Sequence, residues 1–242
     1  MSGVLPFNGR RGLLVLVDPA RSRSGEAVEV ARHAAAAGAV GLLVGTSFDG
    51  TGQTDDVVRM MKRAAPDLPI ALFPGSASQL SSAVDLVLVL SLVSGRNPQY
   101  LIEEHVRAVP FLMTHPVATL STAYLLIDGG RVTAVESVTQ TRPLPADKPE
   151  LVAAHVAAAM MIGMAAVFLD SGSGADRPVA EAAIRAARGA ARDAPIFVGG
   201  GIRSPEQARA ARRSGADFVV VGTAFEQAGT GGMDAFAAAA RA

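Results

Sequence analysis

Residues 196–223 read IFVGGGIRSPEQARAARRSGADFVVVGT, and the fold is decided here. An apolar run, Ile196–Val198, stops at Gly199-Gly200-Gly201, after which Ser204 stands as a helix N-cap with Pro205 in the first helical position. A second apolar run, Phe218–Val221, stops in the same way at Gly222-Thr223. Strand, glycine turn and helix are therefore the repeating unit. Glycine lets backbone N–H groups approach an anion with no Cβ in the way. In a (β/α)8 barrel the loops after the last two strands, plus a helix N-terminus, form a phosphate cradle. Tight turning is the alternative use of a lone GGG; the Gly-Thr one unit later favours the phosphate.

The same rhythm extends back through the chain. Leu13–Val17, Gly41–Val44, Ile70–Phe73, Leu86–Leu90, Ala123–Ile127 and Ala166–Leu169 are short apolar runs separated by Ala-rich helical segments, the first from about Gly25 to Ala37. With the two runs above they make eight candidate strands, and near-continuous apolar strands mean that both sheet faces are covered. A closed (β/α)8 TIM barrel satisfies that with no exposed edge; a doubly wound open sheet is the competing topology. No linker divides the 242 residues, so 1–242 reads as a single domain. The stretch from Asp128 to Pro149 breaks the rhythm. Its Gly129-Gly130, Val132–Val138 and three prolines predict a loop, an extra β-ribbon and a helix beginning near Lys148.

Composition narrows the chemistry. Half of the residues are hydrophobic and 18% are charged, with 22 Lys plus Arg against 22 Asp plus Glu, so bulk charge gives no reason to bind nucleic acid or an acidic membrane. The absence of cysteine excludes disulfides, thiolate metal sites and Cys nucleophiles. No apolar leader and no unbroken apolar run long enough to span a bilayer appear, which predicts a cytoplasmic protein. Of the four histidines, His33 and His155 read as surface residues of Ala-rich helices, His105 as helical and His115 as near the active rim. No zinc or triad spacing accompanies them.

Active sites of such barrels form where strands end. Strand one ends in Asp18, strand two in Gly45-Thr46-Ser47, strand three in Phe73-Pro74-Gly75, and strand four in Ser91 with Ser94 and Asn97 beyond; Tyr124 is read as opening strand five. Strand six runs into Ser171-Gly172-Ser173-Gly174, a third wall for the phosphate corner. Asp18 is placed across the barrel from that corner. Together with Thr46 and Ser47 it makes an oxygen-donor set for Mg²⁺, a hard cation that keeps several waters. With few carboxylates at the rim, a diphosphate would complete the coordination. Helix capping is the alternative use of Asp18.

Taken together these segments resemble the geranylgeranylglyceryl and heptaprenylglyceryl phosphate synthase family of TIM-barrel prenyltransferases. The resemblance runs from Leu16 to Phe225 and is carried by LVDPA, GLLVGTS, PIALFPG, LVLSLVSGRNPQYLI, TAYLLIDGG, PLPADKPEL, FLDSGSGADRPV, VGGGIRSPEQA and GADFVVVGTA, in that order. It implies transfer of a polyprenyl group from its diphosphate to a hydroxyl of a phosphorylated three-carbon acceptor, with Mg²⁺ as cofactor and a homodimer as the assembly. Asp18 with Thr46 or Ser47 look like the Mg²⁺–diphosphate ligands. Ser171, Gly172, Gly200, Gly201, Gly222 and Thr223 look like the acceptor-phosphate cradle, Tyr124 and Phe168 like further substrate contacts, and Asp170 like the carboxylate that orients or deprotonates the hydroxyl. Small apolar residues between strands two and four would leave a groove for the tail.

One motif departs from the family. Where its members commonly carry Tyr-Leu-Glu, this chain has Phe168-Leu169-Asp170, without the phenol and with an acid shorter by one methylene. The change suggests an altered acceptor, as in the branch of antibiotic assembly that uses 3-phosphoglycerate, or simple drift with sn-glycerol 1-phosphate retained. An acceptor bearing a carboxylate would want a cation or N–H donors nearby, and Arg21, Arg23, Arg142 and Lys148 are the candidates. Two readings outside the family stand beside this one. They are a phosphosugar isomerase or synthase, which would need a second acid–base partner, and a non-catalytic phosphate-binding protein, which would not need the metal side.

Overall fold

The computed structural model describes residues 6–7, 9–21, 24–48 and 52–242. Eight strands follow in chain order: β1 Gly12–Val17, β2 Gly41–Val44, β3 Ile70–Leu72, β4 Leu86–Leu92, β5 Thr119–Leu126, β6 Ala166–Asp170, β7 Ile196–Gly199 and β8 Phe218–Val221. All pairs are parallel and sequential, and β1 closes on β8 through Gly12↔Phe218 to Val15↔Val221. The barrel is thus the closed one, not the open sheet. Helices α1 (Ser24–Ala37), α2 (Thr54–Ala64), α3 (Glu104–Thr114), α4 (Ala134–Thr139), α5 (Pro149–Met161), α6 (Glu181–Ala191), α7 (Pro205–Arg213), α8 (Thr223–Ala228) and α9 (Met233–Arg241) pack outside or at the rims. Among the described residues no helix is long and apolar enough to cross a membrane.

Side chains alternate across the pleat, so each strand contributes to two cores. Leu13, Val15, Val167, Leu169, Val198 and Val219 face the helices, while Leu14, Leu43, Ala71, Leu88, Tyr124, Phe168, Phe197, Phe218 and Val220 fill the interior. The interior holds an aromatic column. Phe73 stacks on Phe168 at 4.5 Å, Phe168 on Phe197 at 5.8 Å, Phe197 on Phe218 at 4.7 Å, and Phe218 meets Phe7 at 5.0 Å. Phe7, fully buried, plugs the bottom. Continuing the inward parity past each strand brings Asp18, Gly45, Phe73, Asp170, Gly199 and Gly222 to the top rim, which is why the site assembles there.

Four expectations are corrected. Between β3 and β4 there is no α-helix, only a 3₁₀ turn, Ala77–Gln79, because the connecting segment is short and Ser-rich and opens with Pro74-Gly75. Val132–Val138 makes no ribbon; Ala134–Thr139 coils into α4 behind the N-cap Thr133. Tyr124 lies well inside β5, whose first residue is Thr119, and His115 caps α3 at the bottom of the barrel, away from the rim. The helix expected near Lys148 does begin there, with Pro149 in its first turn.

Gly45 shows how tightly the rim is drawn. A Cβ at this position would fall on the carbonyl oxygen of Phe73 in the neighbouring strand. Gly45→Ala must push β2 from β3 and is expected to cost about 1–3 kcal/mol, the range for forced overpacking. Urea denaturation that gives an unchanged midpoint would contradict this.

Candidate active site

One cavity opens at the top rim. Its wall includes Asp18, Thr46 and Ser47 from the β1 and β2 ends, Tyr124 and Phe168 from inside, Asp170 at the end of β6, and Ser173, Gly174, Gly200, Gly201, Gly222 and Thr223 from the last three βα loops. Ten of the twelve residues singled out from sequence therefore share one cavity; Ser171 and Gly172 do not line it. Ser171 is buried with its hydroxyl unpartnered, and Gly172 packs against Thr133, its N–H donating to Asp170 Oδ1 at 2.8 Å. Ser173, the next hydroxyl along, reaches the wall in their place. Its Oγ lies 3.2 Å from Thr223 Oγ1, joining the β6 and β8 loops.

The phosphate corner takes the β6 and β7 loops and the start of α8, where Gly222 is the N-cap and Thr223 the first residue, but not the N-terminus of α7. In α7 the Ser204–Gln207 capping box uses the first donors: Ser204 Oγ accepts from Gln207 N, and Gln207 Oε1 accepts from Ser204 N and Arg203 N. In contrast, among the described residues the N–H groups of Ser173, Gly174, Gly200 and Gly201 donate to no partner. Gly200 and Gly201 have φ of +77° and +68°, values in the left-handed region that favours glycine. A Cβ on Gly200 would strike Asp170 and the Ser171 and Gly172 amides, so no side chain fits between the β6 and β7 loops. Unspent amides and two hydroxyls at a cavity wall suit an oxyanion.

Asp170 sits beside this corner, 8% exposed. Its Oδ2 accepts from the Tyr124 hydroxyl at 2.7 Å. Burial pushes the Asp170 carboxyl above the usual aspartate range, opposed by the hydrogen bonds from Tyr124 and Gly172. Burial, then the neighbouring carboxylate, pushes the Tyr124 phenol well up, so it stays a donor. Phe168, the residue that lacks a phenol, stacks between Phe73 and Phe197 with Tyr124 edge-on at 5.8 Å.

Asp18 is beside the phosphate corner, not across from it, since β1 and β8 are hydrogen-bonded neighbours. Its Oδ1 accepts from Ala20 N at 2.9 Å and its Oδ2 lies 3.5 Å from Arg21 Nε. Asp18 caps no helix, since α1 begins only at Ser24; its bond to Ala20 N closes a local turn, and the residue lines the cavity. Thr46 Oγ1 is turned into its own loop, donating to the Phe48 carbonyl at 3.0 Å. Arg21 is drawn to Asp18, Arg142 and Lys148 are not on the wall, and Arg23 lies outside the described residues. Reading the sequence missed Arg203, a guanidinium that does line the cavity; its place directly after GGGI was the available signal.

The other half of the cavity is apolar. Leu80, Leu88, Leu90, Leu92, Ala108 and Leu112 line it, and so do Val87 and Val89, which lie on the outer face of β4. The groove therefore passes over β4 and under α3, through the space the missing β3–β4 helix leaves, not between β2 and β4. His105 and Glu104 of α3 border it. His105 Nε2 donates to the Leu90 carbonyl at 2.7 Å, while Glu104 accepts from Ala77 N at 2.8 Å and ties α3 to the 3₁₀ turn.

A closed barrel whose top rim joins unspent loop amides, a buried carboxyl and an apolar groove in one cavity has the build of a (β/α)8-class enzyme. The model of the PcrB family matches residues 8–240, and the chain belongs to that family. It is 40% identical over 220 residues to the geranylgeranylglyceryl phosphate synthase of Chitinophaga pinensis, covering 90% of this chain and 86% of the relative. It is 37% identical to that of Aeropyrum pernix, covering 88% and 85%. Among solved structures, (S)-3-O-geranylgeranylglyceryl phosphate synthase from Thermoplasma acidophilum, in complex with its substrate sn-glycerol-1-phosphate, superposes with a TM-score of 0.89 at 28% identity, covering 97% of this chain and 95% of that one. Thiamine phosphate pyrophosphorylase from Pyrococcus furiosus, at 13% identity and a TM-score of 0.60, shares the fold alone. The protein is an enzyme of the prenyltransferase class.

Removing the Tyr124 hydroxyl takes away a bond that favours the Asp170 carboxylate. Tyr124→Phe is expected to raise the Asp170 pKa further and to move the acid limb of the kcat/KM–pH profile to higher pH. Because the folded pKa is already raised, stability contributed by the neutral acid is complete below the unfolded value of about 3.9 and lost as pH rises through the folded one. Asp170→Asn should accordingly raise the Tm near neutral pH, by an amount that vanishes in acid. An acid limb unmoved in Tyr124→Phe would assign it to another group.

Proposed function

We propose that this chain forms an ether between a polyprenyl diphosphate and a hydroxyl of a phosphorylated three-carbon acceptor. The observation that carries the reading is the order of parts along one cavity: unspent loop amides with two hydroxyls, then the Asp170 carboxyl, then the apolar groove over β4. The acceptor phosphate sits against Ser173, Gly200, Gly201, Gly222 and Thr223, and the prenyl tail lies under α3. In the reaction the allylic C–O bond to the diphosphate breaks, the acceptor oxygen bonds to that carbon, and its proton passes to Asp170. A carboxyl with a raised pKa is suited to receive it.

The diphosphate side is expected at Asp18, Thr46 and Ser47. These are oxygen donors with one carboxylate among them, a set that fits Mg²⁺ when water and substrate supply the remaining ligands. Of the three, Asp18 and Ser47 are the better donors, because the Thr46 hydroxyl serves its own loop. Bound there, Mg²⁺ would neutralise charge on the departing diphosphate. Asp18 itself holds the β1 turn through Ala20 N, so its carboxylate is already oriented when substrate arrives.

sn-Glycerol 1-phosphate is the acceptor this site supports best. A second carboxylate, as in 3-phosphoglycerate, would have to lie near the buried Asp170. The loss of a phenol at Phe168 favours the second reading, since it removes a donor to a glycerol hydroxyl.

The deciding assay pairs radiolabelled glycerol 1-phosphate and 3-phosphoglycerate with prenyl diphosphates of increasing length, in the presence and absence of Mg²⁺. Incorporation from glycerol 1-phosphate is expected, and no lipid product from either acceptor would refute the proposal. Asp18→Ala should lower turnover by at least about 100-fold with the fold intact by circular dichroism, in line with losing an electrostatic contact to the leaving group. Phe168→Tyr with Asp170→Glu should raise kcat/KM for glycerol 1-phosphate over that for 3-phosphoglycerate. An unchanged ratio would show that this pair does not choose the acceptor.

A further inference from the structure

The formal charges on the cavity wall are those of Asp18, Glu104, Asp170 and Arg203, so among the described residues Arg203 is its one Lys or Arg. Both substrates of the proposed reaction are anions, and the phosphate corner is otherwise built from neutral amides and hydroxyls. A wall whose other charges are acidic attracts neither substrate. Arg203 leaves the β7–α7 turn directly after the glycines, and its guanidinium donates to the carbonyls of Ala175 at 2.8 Å, Asp176 at 3.3 Å and Gly174 at 3.4 Å. All three partners are main-chain carbonyls of the β6 loop, the loop that presents Ser173. No described carboxylate pairs with the guanidinium, so its charge is not cancelled locally.

We infer that Arg203 is a positioning residue that also acts electrostatically. It fastens the β6 loop to the β7 turn and keeps an uncompensated positive charge behind the phosphate corner, and that charge sets affinity for the acceptor's phosphate. The inference rests on the proposed acceptor site. It separates the acceptor from the prenyl diphosphate, whose expected ligands stand on β1 and β2. A guanidinium suits the arrangement because its fork spans several carbonyls while its charge is permanent. Arg203 is exposed, so its attraction for the phosphate acts partly through water and weakens as salt is added.

Two substitutions divide the fastening from the charge. Arg203→Lys keeps the charge and gives up most of the fork; Arg203→Gln keeps donors and gives up the charge. Both are expected to lower Tm. In Arg203→Gln the KM for the acceptor should rise by about tenfold or more, the loss typical of a charge-assisted contact. In Arg203→Lys it should stay within about threefold, and the KM for prenyl diphosphate should be unchanged in both. Acceptor KM should rise with ionic strength in the wild type and the Lys variant and respond less in the Gln variant. Titration with inorganic phosphate, followed by calorimetry, gives a reading that needs no turnover and should show the same order. Equal phosphate affinity in wild type and Arg203→Gln, or a Lys variant as weak as the Gln variant, would overturn the electrostatic role. A wild type that binds no phosphate would remove the phosphate corner and this inference together, whereas phosphate binding without prenyl transfer would leave the inference standing and refute the proposed reaction.

Discussion

Eight parallel strands closed into a barrel leave an interior that only alternate residues of each strand can fill, and the rest of this structure depends on that parity. Phe168 and Asp170, two apart on β6, must face the same way. The packing that directs the Phe168 ring into the aromatic column therefore also directs the Asp170 carboxyl into the cavity. The same holds for Leu16 and Asp18, for Leu43 and Gly45, and for Val220 and Gly222. Large apolar groups fill the lower layers, and at the top the same series ends in acids and glycines. The site is the unfilled last layer of the core.

Such a layer is expensive to keep polar. Burying a carboxyl in an apolar barrel disfavours its charge, and the raised Asp170 pKa records that cost. The Tyr124 hydroxyl and the Gly172 amide offset part of it and orient both oxygens. Tyr124 belongs to the neighbouring strand, paired in register with Phe168. A phenol therefore still serves this corner although residue 168 has none. The column of stacked rings beneath holds Tyr124 and Phe168 against small shifts, because packed aromatic faces tolerate little sliding.

Much of this was legible in the chain. All eight apolar runs became strands within a few residues of their read limits, and GGG, Gly-Thr, Asp18 and Asp170 reached one cavity. What failed did so for identifiable reasons. Ser171-Gly172-Ser173-Gly174 offers two equivalent Ser-Gly steps, and nothing local says that Ser173 reaches the cavity while Ser171 is buried. The ribbon read at Val132–Val138 gave way to α4, since β-branched residues report burial as much as strand. Placing Asp18 opposite the phosphate corner overlooked closure, which makes the first and last strands neighbours. Reading a helix into every crossover also hid the groove, because a helix absent between β3 and β4 is what uncovers the outer face of β4.

The sequence by itself determined the periodic order of strands and helices, the glycines that free backbone amides, and the acids that end β1 and β6. These are local matters: hydrophobic period, capping and φ freedom are set by residues a few positions apart. Only the tertiary structure decided which hydroxyl of the SGSG loop faces the cavity, that Tyr124 reaches Asp170, that the groove passes over β4, and that Arg203 rather than Arg21, Arg142 or Lys148 brings a cation to the wall. Each of those joins residues far apart in the chain, and their meeting is fixed by barrel closure and strand register, which no local pattern encodes.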